Sequence, residues 1–567
     1  MGCTMRLGTR TRPLLSAAAW CRLIALLAVV LGLTRIVRTY PVFNQTFDEP
    51  AHIAGGMEWL DRGTYRLEPQ HPPLARVAAA LGPYLLGLRY PSDTEPAYSA
   101  RSGLGPRRFR VGSAILETGG QYLRNLSFAR LGLTPFFVMA ALVVWRWCRK
   151  EHGDAAAVAA VLMFTALPPI LGHGGLATTD MAATTTLAAA LFCYCGWLDR
   201  PTLGSSALLG VAGAASVLSK LSALVYLAAG IACIYAVKVW LTRRPARRLP
   251  QEEPAGETEV GRLGWLPAIA VVAVVGFIVI WPAYRFSVSY PATFGGHLWL
   301  PAPELARGIA AVKEHNTEGH PSYLLGQVGA TGWWYFFPVA LSVKTPIPFG
   351  LFALAGCVHA ARLALRTGQW SAVSAPVAAV AILAVAMASR IDIGVRHVLP
   401  VYALLAIPAG AAIRAAWHAR KHVLVARGTA TGLASWLAIS SIRAHPDYLA
   451  YFNEVAGSHP EHFLINSDLD WGQDYLRLVD SVRARHLDTV WVAYFGTLDT
   501  SLHALPGMRP LPPHRPTEGW VAASIYMVTG IGSDEYTWLR GYEPVFRAGR
   551  SIWVFHIRRP MRLGRHD

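Results

Sequence analysis

Residues 263–283 read LGWLPAIAVVAVVGFIVIWPA, without one charged side chain. A hydrocarbon core about 30 Å thick is crossed by about 20 helical residues, so this stretch fits a transmembrane helix. Working outward, similar stretches recur at 13–38, 127–147, 154–172, 180–198, 221–241, 346–366, 371–389, 397–416 and 422–440, with a shorter Gly/Ala-rich one at 202–218. The pattern predicts a polytopic α-helical membrane protein with about eleven spans. Composition agrees. Hydrophobic residues make up 53% of the 567 residues and charged ones 15%, against roughly 25% charged in a soluble domain. A water-soluble multidomain enzyme and a disordered chain are both excluded. The net charge of +18 points to topology and anionic lipid, not to nucleic acid.

Basic residues orient the spans. Arg146, Arg149 and Lys150 share one short loop, and Arg243, Arg244, Arg247 and Arg248 another. Arg362 and Arg366 lie in a third, and Arg420 and Lys421 in a fourth. With a cytoplasmic N-terminus, eleven spans place all four loops in the cytoplasm, as the positive-inside tendency asks. Ten spans move the later clusters outside, so the charge pattern supports 202–218 as a span. Arg6, Arg10 and Arg12 precede the first apolar run, which continues to about Val37 with no small-residue cleavage pattern after it. It reads as an uncleaved first helix. The cysteines Cys3, Cys21, Cys148, Cys193, Cys195, Cys233 and Cys357 all lie in apolar segments or beside basic loops. No disulfide framework is expected. Cys193 and Cys195 point apart on a helix and do not form a metal pair.

Three large segments fall outside: 39–126, 284–345 and 441–567. The chain divides into a transmembrane unit, 1–440, carrying the first two as outer loops, and a C-terminal extracytoplasmic α/β domain, 441–567. In that domain 472–486 has helical spacing. Thr489–Tyr494, Val521–Met527 and Ser551–Ile557 read as strands. Residues 242–262 read as a solvated cytoplasmic linker. No GxxxxGK[ST] loop occurs.

The richest chemistry lies in the first outer loop: Phe47-Asp48-Glu49-Pro50-Ala51-His52, then Trp59, then Glu68-Pro69-Gln70-His71-Pro72-Pro73. Pro50 suits the first turn of a helix, with Asp48 or Glu49 near its cap. Capping alone explains acids there. Against it, unpaired charge beside a membrane surface is expensive and usually functional. Asp180, in Gly174-Gly-Leu-Ala-Thr-Thr-Asp180, starts a span at the same face, where a helix dipole favours an acid.

These features together resemble the GT-C glycosyltransferases, and within them the branch of glycosyltransferase family 39 that holds protein O-mannosyltransferases and aminoarabinose transferases. The resemblance rests on the Phe-Asp-Glu-x-x-His start of the first outer loop, on Ala-Thr-Thr-Asp180, and on many spans with large outer loops. Further stretches support it: His320-Pro-Ser-Tyr-Leu-Leu-Gly326, Gly332-Trp-Trp-Tyr-Phe-Phe-Pro338, Lys344-Thr-Pro346, Gly394-Val-Arg396-His397-Val-Leu-Pro400, His445-Pro-Asp-Tyr-Leu-Ala-Tyr-Phe-Asn-Glu454 and Asp468-Leu-Asp-Trp-Gly-Gln-Asp474. They cover roughly residues 40–480.

The resemblance implies a GT-C fold and inverting transfer from a polyprenyl-phosphate sugar to an acceptor hydroxyl on the outer face. It implies Asp48 as general base, Glu49 orienting acceptor or metal, and Asp180 holding sugar or acceptor hydroxyls. The departing lipid phosphate calls for cations. Lys344, Arg390, Arg396 and Lys220 are candidates, with His397 beside Arg396 at a helix start. The alternative for these cations is snorkelling to the interface. Glu49-x-x-His52 and Glu68-x-x-His71 repeat one spacing, and i and i+3 share a helix face. They read either as ligands for a divalent metal or as hydrogen-bonding residues of the acceptor site. Expected partners are the lipid-linked donor, membrane lipid and a glycan, lipid or protein acceptor. Expected localisation is a bacterial plasma membrane. The rival class is a lipid-linked glycan flippase or secondary transporter, whose polar groups sit near mid-membrane on broken helices. Here the acids cluster at outer helix ends.

Overall fold

The computed structural model describes residues 16–92, 106–244, 263–290 and 299–559. Arg6, Arg10, Arg12 and Cys3, and 245–262 of the expected linker, lie outside the described residues. All eleven expected apolar segments are helical. Among the described residues eight helices are long and apolar enough to cross a membrane: Ala17–Val37, Tyr122–His152, Asp180–Asp199, Ser222–Arg243, Trp265–Ala283, Ile347–Thr367, Pro400–Trp417 and Val423–Arg443. The other three of the eleven expected spans are present as a bent pair and two shorter apolar helices. The segment 154–172 is a bent pair, Asp154–Ala166 and Pro168–Gly174, broken by 66°. Pro168 and Pro169 explain the break, because proline removes backbone donors and disfavours helix in the residue before it. Leu203–Ser219 and Trp370–Ala386 are shorter apolar helices.

Exposure follows membrane logic. In Trp265–Ala283 the one buried residue is Ala268, and Leu266, Val274 and Ile278 are exposed. Such a surface suits lipid. Asp180–Asp199 is the opposite case and is buried over most of its length. Its threonines return their hydroxyls to the helix carbonyls, Thr184 to Asp180 and Thr186 to Ala182.

The outer segments pack on one another at one end of the bundle. Helix Glu49–Met57 lies against Pro73–Leu85 so closely that a Cβ at Gly56 would stand 1.9 Å from the Arg76 carbonyl oxygen. At the other end short loops meet: Arg149 pairs with Asp154, Lys150 with Asp199, and Ser371 donates to Glu151.

The C-terminal segment carries a five-stranded mixed sheet in the order Met508–Pro510, Val490–Ala493, Gly519–Ser524, Ile552–Ile557, Phe546–Ala548. Val490–Ala493 pairs in parallel with both its neighbours, and the remaining pairs are antiparallel. Helix Tyr475–Ala484 packs beside it. The expected strand Val521–Met527 is corrected at its end. After Ser524 the chain makes a helical turn, Ile525–Val528, because Ile525 N–H donates to the Ser551 carbonyl and Tyr526 N–H to the Asp470 carboxylate.

Residues 445–474, before that helix, thread back onto the segment that follows the first span. Phe47 N–H donates to the Trp471 carbonyl at 2.9 Å. Asn44 Nδ2 donates to the Gly472 carbonyl at 2.7 Å. Gln45 Nε2 donates to the Thr497 carbonyl, and Thr497 Oγ1 to the Phe47 carbonyl. The short stretch 44–47 is therefore tied to the C-terminal segment.

Candidate active site

Helix Glu49–Met57 begins as the sequence predicts, with Pro50 in its first turn and Asp48 at its N-cap position. Asp48 nevertheless makes no capping hydrogen bond. Its Oδ2 accepts from Arg396 NH1 at 2.7 Å. The same nitrogen lies 3.8 Å from Asp180 Oδ2, and Lys220 Nζ donates to Asp180 Oδ1 at 2.6 Å. Four residues from four parts of the chain thus alternate in charge: Asp48, Arg396, Asp180, Lys220. The two acids differ in access. The Asp48 side chain is 27% exposed and that of Asp180 is 0%. Thr178 Oγ1 donates a further bond to Asp180 Oδ2.

Local structure places Arg396. It sits in a 3-10 turn, Val395–Val398, ahead of helix Pro400–Trp417. Gly394 enters that turn at φ 142°, and a Cβ there would meet Ser467 Oγ at 2.2 Å. Asp468 accepts the Val395 N–H at 3.1 Å. The guanidinium lies over the Trp471 ring, 4.2 Å from its centroid, a cation–π contact. Trp471 is thus a backbone partner of Phe47 and a side-chain partner of Arg396.

At the Lys220 end a small opening is lined by Asp180, Lys220, Arg396 and His397 together with Leu187 and Tyr226. Charged groups meet an apolar wall there. The rings of His52 and His71 lie 4.9 Å apart and edge to face. Burial, then the charges of His71 and Arg76, holds His52 well below the usual histidine value. Burial, then Arg76 and Lys220, does the same for His71. In each ring Nδ1 is buried without a partner among the described residues.

Several expected residues lie elsewhere. Glu49 is fully buried and takes two bonds from Arg130, to Oε1 and Oε2 at 2.8 Å, plus the N–H groups of Thr46 and Ala177. Burial alone raises its pKa, but the Arg130 charge and these bonds bring it below the usual value. Glu68 is paired with Arg76, which also binds the carbonyls of Ala51 and Glu68. The divalent metal does not fit these residues. Both carboxylates are engaged by arginines, and among the described residues no group of three or more His, Cys, Asp or Glu side chains is placed to hold an ion.

Lys344 is buried, with Nζ donating to the Leu449 and Asp468 carbonyls at 2.8 and 2.7 Å. Burial lowers its pKa to about 8. Arg390 is exposed and donates to the Thr317 carbonyl at 3.2 Å. Asn44 in Asn44-Gln-Thr46 and Asn125 in Asn125-Leu-Ser127, which match the glycosylation triplet by sequence, are buried, both amides bound to backbone carbonyls.

The structure adds residues that the sequence reading did not assign. Arg130 and Arg76 neutralise the buried acids. His173 packs its ring 6.1 Å from Trp471. Asp470 and Asp474 accept backbone N–H groups of Tyr526 and Ser551 and so brace the C-terminal domain. Arg130 sits inside an apolar segment, and that was the one available signal.

No family model matches the chain, and no curated protein matches it. Among solved structures it is similar to ArnT from Cupriavidus metallidurans bound to undecaprenyl phosphate, at 14% identity and TM-score 0.48, over 95% of this chain and 98% of that one. It is also similar to the oligosaccharyltransferase of Archaeoglobus fulgidus in the apo form, at 12% identity and TM-score 0.45, over 95% of this chain and 74% of that one.

Proposed function

We propose that the protein is a GT-C membrane glycosyltransferase that moves a sugar from a polyprenyl-phosphate donor to an acceptor hydroxyl at the outer face, with inversion at the sugar carbon. The observation that carries this reading is the charge chain Asp48, Arg396, Asp180, Lys220. It is open to solvent at Asp48 and bordered by apolar side chains at Lys220.

A lipid phosphate needs cations beside an apolar wall, which the Lys220 end supplies. Asp180, bonded to Lys220 and close to Arg396, holds both cations in place. Arg396 has Asp48 as its strongest partner. An incoming phosphate competes for that guanidinium, since arginine binds phosphate and carboxylate with the same fork. As Arg396 turns to the phosphate, the Asp48 carboxylate is freed beside the acceptor. Donor binding thereby activates the base. Asp48 then takes the hydroxyl proton as the acceptor oxygen attacks the sugar carbon, and Arg396 and Lys220 meet the charge growing on the departing phosphate. A single displacement from the face opposite the phosphate inverts the carbon. In this reading the end holding the outer segments faces away from the cytoplasm, and the basic loops face into it.

The experiment is incubation of purified protein in detergent with radiolabelled undecaprenyl-phosphate sugars and cell-envelope acceptor fractions. Transfer requires no sealed compartment and is expected. Movement of lipid-linked sugar in sealed vesicles, with no donor consumed in detergent, would support the transport class instead.

A further inference from the structure

The four residues Tyr494-Phe495-Gly496-Thr497 leave the strand Val490–Ala493 at its carboxyl end. Phe495 N–H donates to the Ser524 hydroxyl at 3.1 Å, at the same end of the neighbouring parallel strand Gly519–Ser524. Three of the four reach across to the start of the first outer segment. Asn44 Nδ2 donates to the Tyr494 hydroxyl at 3.2 Å. The Phe495 ring stacks on the Phe47 ring, with centroids 5.1 Å and planes 14° apart, and also stacks with Tyr526. Gln45 Nε2 donates to the Thr497 carbonyl at 2.7 Å, and Thr497 Oγ1 donates to the Phe47 carbonyl at 3.0 Å. A Cβ at Gly496 would stand 2.1 Å from the Tyr494 hydroxyl oxygen, so only glycine fits between these contacts.

The bond from Thr497 bears on Asp48. The Phe47 carbonyl belongs to the peptide unit whose nitrogen is that of Asp48. A peptide unit is planar, so anchoring its oxygen limits the swing of the Asp48 backbone. Gln45 Nε2, which only donates, lies 3.3 Å from Thr497 Oγ1, so the hydroxyl hydrogen is left for the Phe47 carbonyl. On its other side Asp48 is held by the helix it begins, where the His52 N–H donates to the Asp48 carbonyl at 3.2 Å. The carboxylate makes no capping bond and has Arg396 as its partner. Its backbone is therefore fixed on both sides, and on the Phe47 side the hold comes from the C-terminal domain.

We propose that residues 494–497 of the C-terminal domain position the base, with Thr497 fixing the Phe47–Asp48 peptide and Phe495 the Phe47 ring. This rests on the transferase reading above. The domain then acts on proton removal from the acceptor and not on binding of the lipid phosphate. Its leverage is large, because misplacing a reacting group by about 1 Å can cost about a hundredfold in rate.

The test is a double-mutant cycle on the full chain in detergent. Undecaprenyl-phosphate mannose, glucose and 4-amino-4-deoxyarabinose serve as donors, with cell-envelope acceptor fractions and turnover taken per folded protein. Thr497→Val keeps the shape and loses the hydroxyl, and Thr497→Ser keeps the hydroxyl. Turnover should fall by roughly threefold to tenfold in Thr497→Val, the range of one net hydrogen bond, and return in Thr497→Ser. Undecaprenyl phosphate should bind Thr497→Val at least as tightly as wild type. In an Asp48→Asn background Thr497→Val should cost nothing further, since the base it positions is gone. An equal loss in both backgrounds, or full turnover in Thr497→Val, overturns the proposal. Should Thr497→Val yield no folded protein, Phe495→Leu loses the ring stack, leaves the hydrogen bonds in place and runs the same cycle with the same expected outcomes.

A second measurement needs no substrate. Carbodiimide labelling, read by mass spectrometry, compares Asp48 with Asp480, whose side chain is 73% exposed. The ratio should rise by about twofold or more in Thr497→Val, as loss of the hydrogen bond lets the carboxylate leave Arg396, and stay at the wild-type value in Thr497→Ser. An unchanged ratio in Thr497→Val overturns the proposal. Wild-type protein that consumes none of the donors contradicts the transferase reading itself, and the labelling then decides whether residues 494–497 hold Asp48.

Discussion

Asp48 and Arg396 are 348 residues apart in the chain and 2.7 Å apart in the structure. Asp48 comes from the first outer segment and Arg396 from the turn before a membrane helix. Trp471, from the C-terminal segment, holds both by binding the Phe47 N–H and lying under the guanidinium. The site is an assembly of three segments.

Arg396→Lys keeps the charge but loses the planar fork that reaches Asp48 and Asp180 from one nitrogen and leaves others for phosphate. A hydrogen bond to a charged group is worth roughly 1.5–3 kcal/mol, so undecaprenyl phosphate affinity should fall at least about tenfold. Lys220→Met should weaken it similarly. Isothermal titration of both variants checks this. Unchanged affinity in both would move the phosphate away from this end of the chain.

Glu49→Gln leaves Arg130 buried with the charge of its carboxylate partner removed. Breaking a buried pair costs about 3–5 kcal/mol. The expected defect is loss of folded protein, seen as a lower melting midpoint in detergent and unaffected by added zinc or manganese. Rescue by either metal would return Glu49 to a ligand role.

Lys344→Met removes both donors to the Leu449 and Asp468 carbonyls, and each acceptor left unpaired in a buried site costs about 1–3 kcal/mol. Stability should fall while the undecaprenyl phosphate affinity of the folded fraction stays within about twofold, less than one weak hydrogen bond. A large affinity loss would place Lys344 at the phosphate.

Legibility divided along physical lines. The spans were readable because burial in lipid demands long apolar runs, and Glu49–Met57 because proline and acids mark helix starts. Asp48, Asp180 and Arg396 stood out as charges at span ends, and the structure brings them together. Their pairing was not readable, since a carboxylate at an N-cap looks the same whether it caps or binds an arginine far along the chain. Glu49 and Glu68 shared a spacing with histidines that suggests a metal. Their true partners, Arg130 and Arg76, sit 81 and 8 residues away, and no local pattern joins them. Lys344 looked like a surface cation because the segment that buries it, 449–468, comes a hundred residues later.

Asp392 supplies a pH test. Its Oδ2 accepts the Trp333 N–H at 2.6 Å, its Oδ1 is buried without a partner among the described residues, and burial raises its pKa to about 7. A carboxyl raised in the folded state binds its proton more tightly there than when unfolded. Its contribution to stability is full below about pH 4, the unfolded value, and is lost as pH rises through about 7. Asp392→Asn keeps an acceptor for Trp333 and cannot ionise. Relative to wild type it should gain melting temperature on going from pH 5 to pH 8. An identical pH dependence in the two proteins would remove Asp392 from this role.

The coupling of donor binding to base release is tested most directly by measuring undecaprenyl phosphate affinity and sugar transfer side by side in wild type and Asp48→Asn. The substitution keeps the shape, removes the base and leaves Arg396 without its carboxylate partner. Transfer should fall by about 10²–10⁴-fold, the usual worth of a general base, while undecaprenyl phosphate binds at least as tightly as to wild type. Near-full transfer, or weaker lipid phosphate binding, would contradict the role assigned to the Asp48–Arg396 pair.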